Sequence, residues 1–192
     1  MNLTEKITEN FDACVGNVLG YYEQATAKNI EDGLNWYPKA YNICEEIANF
    51  YSRPVEEVAN VVAIMSPRNR WRVNIDYAIR IYDNAKLRRK PLNLGVAFAT
   101  PKAHDLIYRG VNRISGPKVI SFRNCILGSK SDVCVDTWAL RVVYNEPEFK
   151  KTFKLGTYKA AQSVYRAAAE MLPVTPVQLQ AITWCVIRGD AN

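Results

Sequence analysis

The chain reads as an all-α protein on three observations. An apolar rhythm of 3.6 residues recurs along it, strand-like alternation does not, and prolines and capping residues punctuate it at helix-length intervals. Its 192 residues suffice for one large domain or two small lobes around a real hydrophobic core. A content of 48% hydrophobic and 23% charged residues excludes collagen-like, low-complexity and disordered chains.

Residues 35–51 set Trp36, Ala40, Ile43, Ile47 and Phe50 on one side and Lys39, Asn42 and Glu46 opposite, the pattern of an amphipathic helix. Ser52 is the expected N-cap of the next helix, with Pro54 near its first turn and Val55, Val58, Val61, Val62 and Met65 as its buried face. Pro67 disfavours continuation through Ser66, and a third helix spans residues 71–85. Residues 91–100 read as a linker, after which Pro101 opens a short helix ending near Gly110. In the turn at 111–117, Gly116 supplies permissive dihedrals and Pro117 suits the first position of a new helix turning Val119, Ile120, Phe122 and Ile126 inward. The product is two helices joined by a short hairpin. Gly128 ends the second, a polar loop at 129–132 leads into Val133-Cys134-Val135-Asp136, and residues 137–144 are helical again. A basic loop at 146–155 precedes two last helices, 158–172 and 176–188, the latter with Thr175 as N-cap. No repeat or composition break cuts the chain into contiguous domains. A single compact helical unit is expected, one lobe from about 1–57 plus 145–192 and the other from 58–144, with the hairpin at 102–127.

Charge is distributed unevenly. Residues 1–57 carry four bases and ten acids, whereas residues 58–192 carry 21 bases and nine acids, and the stretch 68–90 alone contributes +6. Such a basic region suits a polyanion, because neutralised phosphates give sequence-independent, salt-dependent affinity for nucleic acid. No run approaches the roughly 18 apolar residues of a membrane span, and the polar N-terminus lacks an apolar signal core, so a cytoplasmic protein with no membrane partner is expected. Five scattered cysteines without a C-x-x-C pair read as reduced core thiols, and a single histidine supports no metal cluster. Neither a metal nor a cofactor is expected.

Two residues can carry chemistry. Lys118 follows Pro117 in the opening turn of a helix, where the positive end of the dipole disfavours a cation. A lysine amine that gives up its proton is a nucleophile able to form a Schiff base with a sugar C1′. Asp136 follows an apolar triplet and precedes a helix, which leaves two roles open. As an N-cap it would accept from the amides of Trp138 or Ala139, and as a catalytic carboxylate it would stabilise a developing oxocarbenium ion. Trp36, Tyr37, Trp71 and Trp184 are candidates for stacking on a flipped base, with core packing the alternative. Asn69 and Asn74 are candidates for reading a base edge, with helix capping the alternative, and Arg70, Arg72 and Arg141 for phosphate contacts, with a structural ion pair the alternative for Arg141.

The stretch ISGPKVISFRNCILGSKSDVCVDTWALRV resembles the signature of the helix-hairpin-helix DNA glycosylases, the endonuclease III-like superfamily. The resemblance puts Lys118 in the place of the family's Schiff-base lysine and Asp136 in that of its catalytic aspartate. It sets Ser115 and Gly116 in the DNA-gripping hairpin. Upstream, VANVVAIMSPRNRWRVNIDYA is similar to the family's apolar helix ending in serine and a wedge residue, which would make Arg68 the side chain entering the duplex gap. Thr100-Pro101-Lys102-Ala103 resembles the start of the first hairpin helix. Ile114 stands where the family has the first hairpin glycine, Trp138 stands where histidine often follows, and the C-terminal iron-sulfur cysteines are missing. The chain resembles small phage-type members.

The resemblance thus implies two helical lobes flanking a basic cleft. It implies a DNA base glycosylase, with or without abasic-site lyase activity, acting on double-stranded DNA as a monomer in bacterial or phage-infected cytoplasm. The alternatives are a phage-type base-modifying transferase on the same fold and a non-catalytic DNA-binding module.

Overall fold

A computed structural model describes residues 2–67, 69–90, 92–94, 96 and 98–189. Every regular element among them is a helix. In chain order these are α1 (Leu3–Glu9), α2 (Phe11–Glu23), α3 (Ala27–Tyr51), α4 (Val55–Met65), α5 (Trp71–Lys86), α6 (Ala99–Arg109), α7 (Pro117–Ile126), α8 (Thr137–Tyr144), α9 (Leu155–Glu170) and α10 (Pro176–Arg188). None is long and apolar enough to cross a membrane.

Local chemistry explains most of the boundaries. Asn2 and Glu5 form a capping box at the start of α1, and Thr175 and Gln178 form another at α10, so orphan amides at both helix starts are satisfied. Pro117 opens α7 and Asp136 caps α8, as the residue types at those positions dictate. Three expectations need correction. Ser52 does not cap α4: its backbone is left-handed (φ 52°), the Ser52 amide donates to Asn49 O and the Arg53 amide to Ala48 O. That pair of bonds is a Schellman closure of α3, so Ser52 ends one helix instead of starting the next, and Pro54 takes the N-cap position without a side-chain bond. Phe50 is not inward, because the buried stripe of α3 runs through Ala40, Cys44, Ile47 and Ala48; its ring is exposed with Lys86 Nζ 4.9 Å from its centroid. Ile120 is likewise exposed, on the side of α7 away from buried Phe122, Cys125 and Ile126.

The chain forms two compact units. One runs up to Pro38 and resumes at Gly128, and the other is Lys39–Leu127. The divisions fall inside α3 and just after α7, where the sequence expectation drew its lobes near 57 and 145. Pro38 marks the first division and withdraws one backbone donor from the ladder of α3.

In the first unit, α2 packs against α8, α9 and α10, and α1 lies on α9. Ile7, Val18, Leu140, Tyr158, Val164, Tyr165 and Leu179 are among its buried core. Gly33 of α3 lies directly against Ile182 of α10. In the second unit, α4 is buried continuously from Val58 to Met65 and packs against α5, α6 and α7. A helix apolar on all sides has to be a central element, and the one polar interruption, Asn60, accepts a bond from Arg123 Nε at 3.1 Å. At the start of α4, Glu57 takes a two-pronged bond from Arg53 (2.7 and 2.9 Å), which also donates to Ile107 O of α6, and a third bond from Tyr82 OH of α5. All five cysteines are buried thiols and none is in a disulfide.

The contact between α3 and α10 sets the first test. A Cβ on Gly33 would stand 2.6 Å from the backbone N and Cα of Ile182, so Gly33→Ala is expected to lower stability by about 1–3 kcal/mol through overpacking. Gly20 in α2 has nothing within 4 Å, and Gly20→Ala should instead add roughly 0.5–1 kcal/mol. Urea unfolding midpoints of the two variants should move in opposite directions.

Candidate functional site

The hairpin between α6 and α7 is built by two glycines and a set of polar ties. Gly110 ends α6 with φ 67° and Gly116 precedes α7 with φ 89°. Neither position is crowded, since a Cβ there would meet nothing within 4 Å, so it is the left-handed backbone that calls for glycine. Between them, Asn112 Oδ1 accepts the Ile114 amide at 3.0 Å. Lys102 Nζ donates to Ser115 Oγ at 2.6 Å, and Asp105 pairs with both Arg109 (3.2 Å) and Arg113 (2.6 Å). Side chains of α6 therefore hold both the start and the end of the turn. Lys118 emerges from it half-buried, as the second residue of α7.

Asp136 belongs to the first unit, and the segment that delivers it has no regular structure of its own. Val133, Cys134 and Val135 are all buried. Their backbone is satisfied by α9: Tyr158 OH accepts the Val135 amide at 3.2 Å and donates to Val133 O at 3.1 Å. Gln162 Nε2 donates to the same Val133 carbonyl at 2.9 Å, and Arg166 Nε to Ser131 O at 3.2 Å. These three side chains stand four residues apart on one face of α9. The chain leaves this clamp at Asp136, which is half-buried and caps α8 through a 2.9 Å bond from the Ala139 amide to Oδ1. Capping, one of the two roles open from sequence, is thus made, and to Ala139.

The remaining candidates fall in different places. Arg68 lies outside the described residues. Asn69 Nδ2 donates to Met65 O at 2.8 Å and closes α4, while Asn74 is buried with no partner for its Oδ1 among the described residues. Arg70 and Arg72 are exposed at the start of α5, and Trp71 meets Phe122 edge to face with 6.4 Å between centroids. In the first unit Tyr37 is buried with its hydroxyl on Gln180 at 2.9 Å, and Trp36 lies edge-on to both Tyr37 and Trp184. Arg141 donates to Phe149 O and stacks 4.1 Å over the Trp138 ring. Arg188 lies 4.5 Å over Trp184 and 5.8 Å from Trp138. Sequence reasoning missed this alternation of guanidinium and indole. Its signal was the spacing of 138 to 141 and of 184 to 188, three and four residues apart on successive helix faces.

A second polar feature lies on α6. Thr100, His104 and Tyr108, at four-residue spacing, line an open cleft of about 500 Å³ together with Leu92, Val96 and Pro101. Thr100 and His104 are only 6% and 8% exposed, yet among the described residues Thr100 Oγ1 and His104 Nε2 have no hydrogen-bond partner. Burial lowers the His104 pKa from its ordinary 6.5, against the weaker opposing pull of Asp105, so the imidazole is neutral at physiological pH. Tyr108 packs edge-on to this ring and accepts a bond from Asn84 Nδ2 at 2.8 Å.

Residues 1–191 match a family of unknown function, DUF7178. The chain belongs to it. No curated protein and no solved structure matches the chain significantly.

Two tests follow for this DUF7178 protein. Asp136→Ala removes the cap of α8 and is expected to cost about 1 kcal/mol, whereas Asp136→Asn keeps an acceptor oxygen and should cost clearly less; thermal melts compare them. For His104, protonation is favoured in the unfolded chain over the native one. Its contribution to stability is therefore complete above pH 6.5 and declines as pH falls through 6.5 toward the depressed native value. His104→Gln should flatten the loss of stability between about pH 7 and pH 5, read as the wild-type-minus-variant difference in denaturation midpoints.

Proposed function

We propose that this protein is a DNA base glycosylase with abasic-site lyase activity, built on a helix-hairpin-helix glycosylase-like fold and acting on double-stranded DNA as a monomer in bacterial or phage-infected cytoplasm. The observation that carries the reading is the α6–α7 hairpin. It has glycines of positive φ at both ends and a half-buried lysine, Lys118, as the second residue of the following helix. The acid the chemistry needs follows eighteen residues later, at the start of α8. The basic excess of residues 58–192 supports a polyanionic substrate.

In this reading the target nucleotide is rotated out of the duplex, with Arg68 filling the gap and Asn69, Arg70, Arg72, Ser115, Gly116 and Arg141 contacting the strands. Trp36 and Trp71 are the candidate stacking partners of the base, whereas Tyr37 is kept in the core by its bond to Gln180. The bond from C1′ to the base breaks and its electron pair leaves with the base, while the Asp136 carboxylate stabilises the positive charge developing at C1′. The Lys118 nitrogen attacks C1′ through its lone pair and loses a proton. The C1′–O4′ bond then opens, O4′ takes up a proton, and an imine joins lysine and sugar. Loss of a C2′ proton expels the 3′ phosphate and cuts the strand.

Borohydride reduces such an imine to a stable adduct. Wild-type protein should be trapped on a duplex carrying a modified base or an abasic site, Lys118→Ala should give no adduct, and Asp136→Asn should release base at least about a hundredfold more slowly. No adduct with wild type, together with unchanged product from Lys118→Ala, would overturn the reading. Mass spectrometry of the nucleosides reads the other outcomes. A heavier nucleoside would assign a base-modifying transferase, and salt-dependent binding without any product would assign a DNA-binding module.

A further inference from the structure

We infer that the cleft along α6 is a binding site for a free or extruded uncharged nucleobase, held by the Thr100 hydroxyl and the His104 imidazole. This inference goes beyond base excision and does not depend on it, because it rests on residues that the proposed chemistry does not use.

Two unpartnered groups lie side by side on α6. A buried hydroxyl and a buried imidazole nitrogen each lose their hydration without gaining a protein bond, which native structures seldom tolerate unless something else supplies the partner. Both residues line one cleft, one helical turn apart, so a single ligand seated there needs only a side-chain adjustment to bond to both buried atoms. The size fits as well: about 500 Å³ lies within the usual range of roughly 300–1,000 Å³ for small-molecule sites.

Leu92, Val96 and Pro101 offer apolar contact and Tyr108 an aromatic ring, which suits a flat apolar face. The deep polar groups carry no net charge, since threonine is neutral and burial keeps the imidazole unprotonated. At the rim, the Asp105 carboxylate is already paired with Arg109 and Arg113. A phosphate or carboxylate would meet no unpaired cation in the depth of the cleft, and an ammonium would meet no unpaired anion. What remains is an uncharged planar molecule whose edge alternates donors and acceptors. A hydroxyl can give or take a hydrogen bond, and a neutral imidazole gives at one nitrogen and takes at the other, which complements the edge of a nucleobase.

His104 is the chain's only histidine, so the one imidazole Cε1–H signal in the NMR spectrum reports on this cleft alone. The test titrates the whole protein with adenine, cytosine, thymine and uracil, and separately with p-cresol and inorganic phosphate. At least one base should shift the His104 signal saturably, and Thr100→Val, an isosteric change that leaves no orphan hydroxyl, should weaken that binding about tenfold or more while leaving borohydride trapping through Lys118 intact. The inference is overturned if no base shifts the signal up to about 10 mM, if p-cresol or phosphate binds as tightly as the best base, or if Thr100→Val binds the base as wild type does. Loss of trapping with base binding retained would instead count against base excision alone and would support the cleft.

Discussion

A buried tyrosine hydroxyl sets the geometry of the first unit. The segment ending at Val135 must be buried, because Val133, Cys134 and Val135 are apolar, yet its backbone is not helical and has no strand to pair with. Neighbouring helices have already spent their own backbone groups within their ladders, so only side chains can satisfy it. Tyr158 meets the need twice, accepting from one residue and donating to another two places earlier, and Gln162 and Arg166 continue the clamp along the same face of α9. From this follow the position of Asp136, the start of α8, and with it the places of Trp138 and Arg141. Leaving the segment's buried amide and carbonyl unpaired would cost about 1–3 kcal/mol each, which is why a polar stripe is kept on an otherwise apolar helix face.

The second unit uses α6 in a comparable way, with the difference that three faces have three duties. Ala103, Leu106 and Ile107 turn toward the core beside α4. Lys102, Asp105 and Arg109 reach the hairpin or stiffen the approach to it. Thr100, His104 and Tyr108 face the cleft. Since residues four apart on a helix lie nearly above one another, the duties fall on adjoining stripes, and Asp105 and Arg109 also line the cleft where the hairpin and cleft stripes meet. The surface ion pairs add little stability singly, but two arginines on one carboxylate and a lysine on Ser115 restrict the conformations that two flexible glycines would otherwise allow.

Much of this was legible in sequence where a local rule decides the outcome. Thr137–Tyr144 and Pro176–Arg188 begin and end where capping chemistry and prolines put them, and the turn at Gly116-Pro117 follows from the dihedrals those residues accept. Legibility fails where one residue type serves two rules. Serine is a good N-cap, but Ser52 sits where α3 must reverse, and closing a 25-residue helix took precedence over opening the next. It fails again where partners are distant. Nothing local in Tyr158 announces a bond to Val135, and nothing in His104 announces that its nitrogen will be buried without one. The guanidinium and indole stack around Trp138 has local spacing on each helix, but only packing of α8 against α10 brings the two pairs together.

The cap that Asp136 makes is compatible with the catalytic role proposed for it. A carboxylate that caps a helix is restrained by the amide it accepts, here that of Ala139, and its backbone is fixed from behind by the clamp on Val133 and Val135. A free surface aspartate would have to be ordered at the moment positive charge appears at a sugar carbon. One already held at a helix start needs little reorganisation, and low reorganisation is what makes a fixed charge effective in stabilising a transition state. The structural role therefore supplies a condition that the catalytic one requires. The same reasoning makes the charge, and not the cap, the quantity that separates the two: asparagine can replace aspartate as an acceptor for Ala139 but cannot stabilise an oxocarbenium ion.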